Sequence, residues 1–342
     1  MYDKIPSNPV YKFGSVLLED IYRIFSPIKP CSVILEEKSF DGVEHSLSSF
    51  YDYSTQFFDK PELFFKQNIP ENFDSIKRVQ GNHHQNFSSY SFPSPYQTEW
   101  QSNNTAYFDY FSGKNNADTI LLFAPGWARE NLNAEKTICN NLLKHGIDSC
   151  LLVKPFHQQR TPDGFFSGEL FISGNIFLTV MNFRQFVAEI VFLINYFKPQ
   201  YKKIGLIGMS SGGFQCGLAA DVQEVDFYFP IITGSSLGSI TWNGKMSRFV
   251  KKSIIKKGIT ETELTRAWAI SDQYYLGQNC KAKHIKQFIS LYDEVVPTKY
   301  QFQLWEIYKK PDLTLMHCAH TGIYFYFNRI VSEISAFINN HK

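Results

Sequence analysis

An apolar run that ends in a cluster of glycines and serines sets the terms for everything around it. Lys203-Ile-Gly-Leu-Ile207 reads as a buried strand, and it breaks directly into Gly208-Met209-Ser210-Ser211-Gly212-Gly213. A helical pattern follows near Phe214–Ala220. This is G-x-S-x-G in the strand–turn–helix setting that gives the motif meaning. A serine at such a turn is held with strained backbone angles. Residues two before and two after must lack bulk, so glycines stand at 208 and 212. The hydroxyl then sits at a helix N-terminus, where free N–H groups and the positive dipole end favour developing negative charge. Ser210 is therefore the candidate nucleophile. Ser211 would need a glycine at 209, where Met209 stands.

Around this turn the chain alternates between apolar strands and helical stretches. Strands are expected at Thr119–Ala124, Ser149–Val153, Lys203–Gly208, Val225–Ile232, Ile285–Tyr292 and Leu313–Met316. Helices are expected near Ala134–Lys144, Phe177–Phe197, Phe214–Ala220 and Ile323–Ile338. Continuous apolar strands separated by helices predict a mostly parallel α/β sheet with helices on both faces. The alternating runs Phe87–Phe92 and Thr105–Phe111 predict two further strands ahead of it. Residues 1–85 read as a separate N-terminal helical extension and 86–342 as the α/β domain. In the extension, a helix is expected through Val16–Phe25 and another at Pro61–Gln67, with Asp59 near its N-cap. His83-His84 lies in a polar break and reads as solvated, with no metal expected.

Composition narrows the class. The 342 residues are long enough for a sizeable core. A formal net charge of +2 gives no strong field for nucleic acid or an anionic surface. The six cysteines, at 31, 139, 150, 216, 280 and 318, have no zinc spacing and read as reduced, which points to a cytoplasmic setting. The N-terminus lacks the apolar core of a signal peptide, and no run of 18 apolar residues predicts a membrane span. No cofactor is expected. Aromatics reach 16 %, which suits a phenylalanine-rich core or an apolar pocket.

In parallel sheets the chemistry lies beyond the carboxyl ends of the strands, which locates the remaining candidates. The loop after Thr119–Ala124 reads Pro125-Gly126-Trp127, and Gly126 allows close backbone approach. The backbone N–H groups of Trp127 and Ser211 are therefore the candidate oxyanion hole. Asp293 is the first acid past the strand ending at Tyr292, and Glu294 reads as its surface neighbour. His320 lies between the last strand and the last helix, whereas His317 still belongs to the strand. Serine, acid, histidine is the expected chain order. Two insertions, at about 156–174 and 234–278, leave the same end of the sheet and are expected to act as lids. Arg160 and Trp242 within them are candidate substrate-binding residues. Arg160 serves equally well as a brace for its loop.

Residues 86–340 resemble the α/β-hydrolase superfamily, and within it the abhydrolase-domain family numbered eighteen. That family carries Asn-Pro-Tyr-Tyr-Gly-x-Arg-Lys-Pro, and Lys154-Pro155 through Arg160-Thr161-Pro162 keeps its Pro, Arg and Pro spacing. It carries Gly-x-Ser-x-Gly-Gly-His against Gly208–Phe214, and Gly-Gly-His-x-x-x-Tyr against Cys318–Tyr324. Phe214, Cys318-Ala319 and the Pro-Gly-Trp loop depart from the pattern. The resemblance implies a serine hydrolase acting on a small-molecule or lipid-like carboxylic ester. An acyltransferase or thioesterase would use the same triad. A non-catalytic binding protein of this fold is the alternative from another class.

Overall fold

The structure is a computed structural model that describes residues 9–25, 46–79, 86–113 and 117–341. Cys31 and the pair His83-His84 lie outside the described residues. The strands are β1 (Lys77–Arg78), β2 (Ser88–Pro93), β3 (Thr105–Phe111), β4 (Thr119–Ala124), β5 (Asp148–Val153), β6 (Lys203–Met209), β7 (Val225–Ile231), β8 (Ala282–Ser290) and β9 (Asp312–Met316). They form one sheet in the order β1-β2-β3-β5-β4-β6-β7-β8-β9. From β5 to β9 every neighbouring pair is parallel, while β1, β2 and β3 run antiparallel at one edge.

The centre of the sheet explains why its strands read as unbroken apolar runs. All six residues of β4 are buried. Ile120, Leu122 and Ala124 belong to one core, and Leu121 and Phe123 to the core on the opposite face. Side chains alternate across a strand, so a sheet covered on both faces needs apolar residues at every position. The helices that cover it are α1 (Pro9–Phe25), α2 (Leu47–Thr55), α3 (Glu62–Phe65), α4 (Asn133–Lys144), α5 (Ile176–Phe197), α6 (Ser211–Val222), α7 (Leu237–Asn243), α8 (Arg248–Lys256), α9 (Glu261–Ala267), α10 (Gln273–Leu276), α11 (Thr298–Ile307) and α12 (Phe327–Asn340). Helix α5 is apolar nearly all round and 22 residues long. By length and composition it could cross a membrane, yet 89 % of that stretch is buried inside the protein. It is the central helix of the larger core, packed on β4 and α6.

The boundary drawn at residue 85 does not survive. Phe50 of α2 and Phe64 and Phe65 of α3 are fully buried in the same core as α5 and the sheet. Phe50 meets Phe177 edge-on at 5.1 Å between ring centroids. The Phe64 carbonyl accepts a hydrogen bond from Arg184 Nε at 2.8 Å. Strand β1 pairs with β2, so residues 46–79 are part of the α/β domain. Helix α2 went unread because Leu47–Thr55 holds four Ser or Thr residues and two Tyr, all weak helix formers. Its start is secured by the Ser46 hydroxyl, which accepts from Ser49 N–H at 3.0 Å. The cap expected from Asp59 is absent, and Pro61 precedes α3 instead. Phe64→Ala should therefore destabilise the whole domain by about 3–5 kcal/mol in urea unfolding. An unchanged midpoint would mean the segment is a detachable extension.

The two insertions are packed against the domain. In 156–174, Phe171 is buried and stacks on Phe183 of α5 at 5.5 Å. In 234–278, Trp268 is fully buried, and its indole N–H donates to the Ile176 carbonyl at 3.1 Å. Asp272 accepts the Ser236 and Leu237 N–H groups at the start of α7. These are braced shoulders of the sheet's carboxyl end.

Candidate active site

The turn between β6 and α6 is built as its glycines require. Ser210 has φ 53° and ψ −122°, a strained conformation for a residue with a side chain. It is held there because its N–H donates to the Ile231 carbonyl at 2.8 Å and its carbonyl accepts from Gly213. A Cβ at Gly212 would lie 2.1 Å from the Ala124 carbonyl, and one at Gly208 would lie 2.5 Å from the Gly213 Cα. These positions tolerate only glycine, because the start of α6 presses on the end of β4 and on its own strand. Met209 and Ser210 both line a cleft of about 620 Å3, part of it continuous with solvent.

His320 lines the same cleft. It begins a 3-10 turn, His320–Tyr326, between β9 and α12. Its Nδ1 lies 2.7 Å from Asp293 Oδ2. Asp293 is buried in the loop after β8, and four donors surround its carboxylate. Val295 and Val296 N–H groups donate to Oδ1 at 2.9 and 2.8 Å, and Gln301 Nε2 donates to Oδ2 at 2.9 Å. Gln301 projects from α11, so the helix after the loop fixes the acid. Burial pushes the His320 imidazole down, but the charge of Asp293 and its hydrogen bond, with Glu19 adding to them, leave it above the ordinary histidine value. The structure thus brings Ser210, Asp293 and His320 to one end of the sheet. Among the described residues the Ser210 hydroxyl makes no hydrogen bond, so its contact to His320 is not formed in this arrangement. The two residues set aside in the sequence lie apart from the cleft. The Tyr292 hydroxyl pairs with His317 Nδ1, and Glu294 ion-pairs with Lys245.

The loop after β4, the candidate oxyanion loop, is clamped from one side. The Trp127 indole donates to the Gly168 carbonyl at 2.7 Å. Ala128, at φ 57°, donates its N–H to His157 Nε2 at 3.0 Å. His157 Nδ1 meets the Pro155 carbonyl at 2.8 Å, so the proton is on Nδ1. Burial and the neighbouring Lys154 push His157 down to about 3, against that bond. It is neutral at any working pH and acts as a fixed acceptor. Gly168, at φ 87°, has no room for a Cβ between His157 and Ala128. Among the described residues, the main-chain N–H groups of Trp127 and Ser211 have no other protein acceptor. Behind the turn, fully buried Lys154 donates to Ser211 Oγ at 2.6 Å, and burial pushes its ammonium well below the usual range.

The two substrate-binding candidates are corrected. Arg160 is fully buried and forms a two-pronged ion pair with Glu189 of α5 at 2.7 and 2.8 Å. It also donates to the Val153 and Asn103 carbonyls. It braces its loop, and no charge remains for a ligand. Trp242 lies on α7 beneath Lys251, packed against the larger core and outside the cleft. Its neighbour Met246 takes the place expected of it.

Of three further cleft residues only Tyr324 carries a signal in the sequence, as the tyrosine matched to Gly-Gly-His-x-x-x-Tyr. Arg129 Nε pairs with buried Glu135 at 2.9 Å, and its guanidinium also reaches the Tyr324 hydroxyl. All three line the cleft. Arg129 and Tyr324 are 195 residues apart, and no spacing rule joins them.

Known proteins share this arrangement of elements. The model of the family described as alpha/beta hydrolase domain containing 18 matches residues 119–326. The acetyl xylan esterase of Paenibacillus sp. R4 superposes with a TM-score of 0.60 at 14 % identity, covering 88 % of this chain and 97 % of that one. Acetyl Xylan Esterase 1 of Thermoanaerobacterium sp. JW/SL YS485 gives 0.59 at 12 % identity, covering 91 % and 98 %. An uncharacterized protein of Bacillus subtilis (strain 168), YdjC, is 21 % identical over 108 residues, which is 32 % of this chain and 93 % of that one. At these identities the structural likeness is one of fold, and the fold is the α/β-hydrolase sheet that the resemblance implied and the strand pattern agrees with.

Proposed function

The chain belongs to the alpha/beta hydrolase domain containing 18 family, and from that premise we propose that it is a serine hydrolase of carboxylic esters. One observation carries the reading: a strained serine at the end of β6 shares a cleft with a histidine whose other nitrogen is held by a buried aspartate. In this reading His320 takes the proton of Ser210 as the serine oxygen attacks the ester carbonyl. Asp293 keeps the proton on Nδ1 and stabilises the imidazolium that forms. The N–H groups of Trp127 and Ser211 hold the oxyanion of the tetrahedral intermediate. His320 then protonates the departing alcohol. Water, activated by the same imidazole, releases the acid from Ser210.

Hydrolysis is favoured over acyl transfer because the cleft is continuous with solvent, so water reaches the acyl-enzyme. The cleft favours an apolar acyl group, since Met209, Ile232, Met246, Val295 and Ile323 line it. A non-catalytic role fits less well, because nothing else in the fold requires the strain at Ser210.

The test is turnover of p-nitrophenyl esters of increasing acyl length, measured across pH. The base must be neutral to act, and His320 lies above the ordinary histidine value. Activity should therefore be lost as pH falls through a midpoint above about 6.5. An absence of turnover for every ester, or a rate flat across pH 5–9, would contradict the reading.

A further inference from the structure

Helix α1 lies against the 3-10 turn that starts at His320. Glu19, in its interior, is 2 % exposed. Its Oε2 accepts the main-chain N–H of His320 at 2.9 Å. That places a second carboxylate on the histidine, 301 residues away in sequence. Its other oxygen, Oε1, is buried with no hydrogen-bond partner among the described residues. A buried polar atom left unpaired costs free energy, so the contact is kept at the expense of stability. The next residue, Asp20, pairs with Lys245 at 3.2 Å, and Lys245 also holds Glu294, one residue past Asp293. Helix α1 is thus tied to both loops that supply the aspartate and the histidine.

We propose that Glu19 is a positioning residue of the triad: α1 brings a carboxylate against His320 that fixes its main chain and holds charge beside its imidazole when the imidazolium forms. The proposal rests on the triad reading of Ser210, Asp293 and His320.

The surrounding charges give the contact a sign. Asp293 and Glu294 face Glu19 from the loop after β8, and the Cys318 thiol and His320 face it from the loop after β9. Arg129 acts on His320 from the oxyanion loop. Burial raises the Glu19 carboxyl first and the charge of Asp293 adds to it, bringing it to about 7, while His320 pulls it down. With the imidazole neutral, Glu19 can hold its proton. Above about 7 Glu19 is ionised, and its charge favours the imidazolium that forms when His320 takes the serine proton. Glu19 raises His320 in turn, as two opposite charges at close range must do reciprocally.

The two functions of the side chain are separated by Glu19→Gln and Glu19→Ala in the full-length chain. The amide keeps an acceptor for the His320 N–H but carries no charge, and alanine removes both. The imidazole of His320 is titrated by NMR in each, alongside kcat and KM for p-nitrophenyl acetate and labelling by a fluorophosphonate. E19Q should lower the His320 midpoint by about half a unit or more, shift the acid limb of kcat/KM with it, and keep most of kcat at high pH. E19A should lose about tenfold or more in kcat with KM little changed, since a displaced base costs rate and not binding. The near-isosteric E19Q keeps the test open even if E19A folds poorly. A His320 midpoint unmoved in E19Q, or an E19A enzyme with the wild-type kcat and pH profile, would overturn the proposal. The titration needs no turnover. A shifted midpoint in a protein that neither labels nor turns over ester would leave the Glu19 contact standing and sink the triad reading.

Discussion

Ser210→Ala should reduce ester turnover by about a thousandfold or more and leave the fold unchanged. Alanine at this position keeps the φ of 53° that the turn imposes, because the constraint comes from the hydrogen bonds of Ser210 N–H to Ile231 and of Gly213 N–H to the Ser210 carbonyl. Removing the hydroxyl takes away no hydrogen bond among the described residues, so thermal unfolding should shift little. The rate loss follows because the acyl-enzyme path has no substitute nucleophile at the turn. Ser211 points its hydroxyl back to Lys154 at 2.6 Å and is buried. Unfolding at the wild-type temperature together with loss of rate separates chemistry from stability. Retention of more than about a tenth of the rate would remove Ser210 from the mechanism.

Asp293→Asn should cost about a thousandfold or more in kcat through the tautomer of His320. Each oxygen of Asp293 accepts two donors, two main-chain N–H groups on Oδ1, and Gln301 and His320 on Oδ2. An asparagine must turn its NH2 toward one of these pairs. Facing His320, the NH2 forces Nδ1 to accept, so the proton moves to Nε2 and the ring can no longer take one from Ser210. Facing Val295 and Val296, it sets donor against donor in a buried loop, at a cost of about 1–3 kcal/mol. The first arrangement costs rate and also sets the NH2 against the Gln301 donor, the second costs stability, and neither preserves the wild type. The charge that holds His320 up is also lost. Residual activity should therefore show a lower acid-limb midpoint than wild type, measurable in the same pH series. Full activity in D293N would return the role of acid to another carboxylate.

The sheet was largely legible because its strands are buried on both faces. The bounds expected for β4 and the bounds observed, Thr119–Ala124, coincide, and β3 matches at Thr105–Phe111. Strand β8 shows where the signal fails. It was expected at Ile285–Tyr292 and runs Ala282–Ser290, since its first half is part-exposed and carries Lys283, His284 and Lys286. Its last expected residues, Leu291 and Tyr292, leave the ladder to pair with the carbonyls of Met316 and Cys318. The convergence of Ser210, Asp293 and His320 at one end of the sheet was readable because each follows a strand end in order. Arg160 stays open in the sequence between substrate contact and loop brace because its partner Glu189 sits on α5, and no spacing announces that pair. Glu19 was unreadable for the same reason, since only the packing of α1 onto the His320 turn brings it to the site. No pattern in residues 46–79 announces that they join the α/β domain, because Phe50, Phe64 and Phe65 owe their burial to tertiary contacts.

The most direct test of the central claim is the mass-mapped adduct of a fluorophosphonate on the folded full-length chain. The account predicts a single adduct on the peptide carrying Ser210, formed faster as pH rises through the His320 midpoint and absent in S210A. An adduct on Ser211 or elsewhere, or none on a protein shown to be folded, would contradict it.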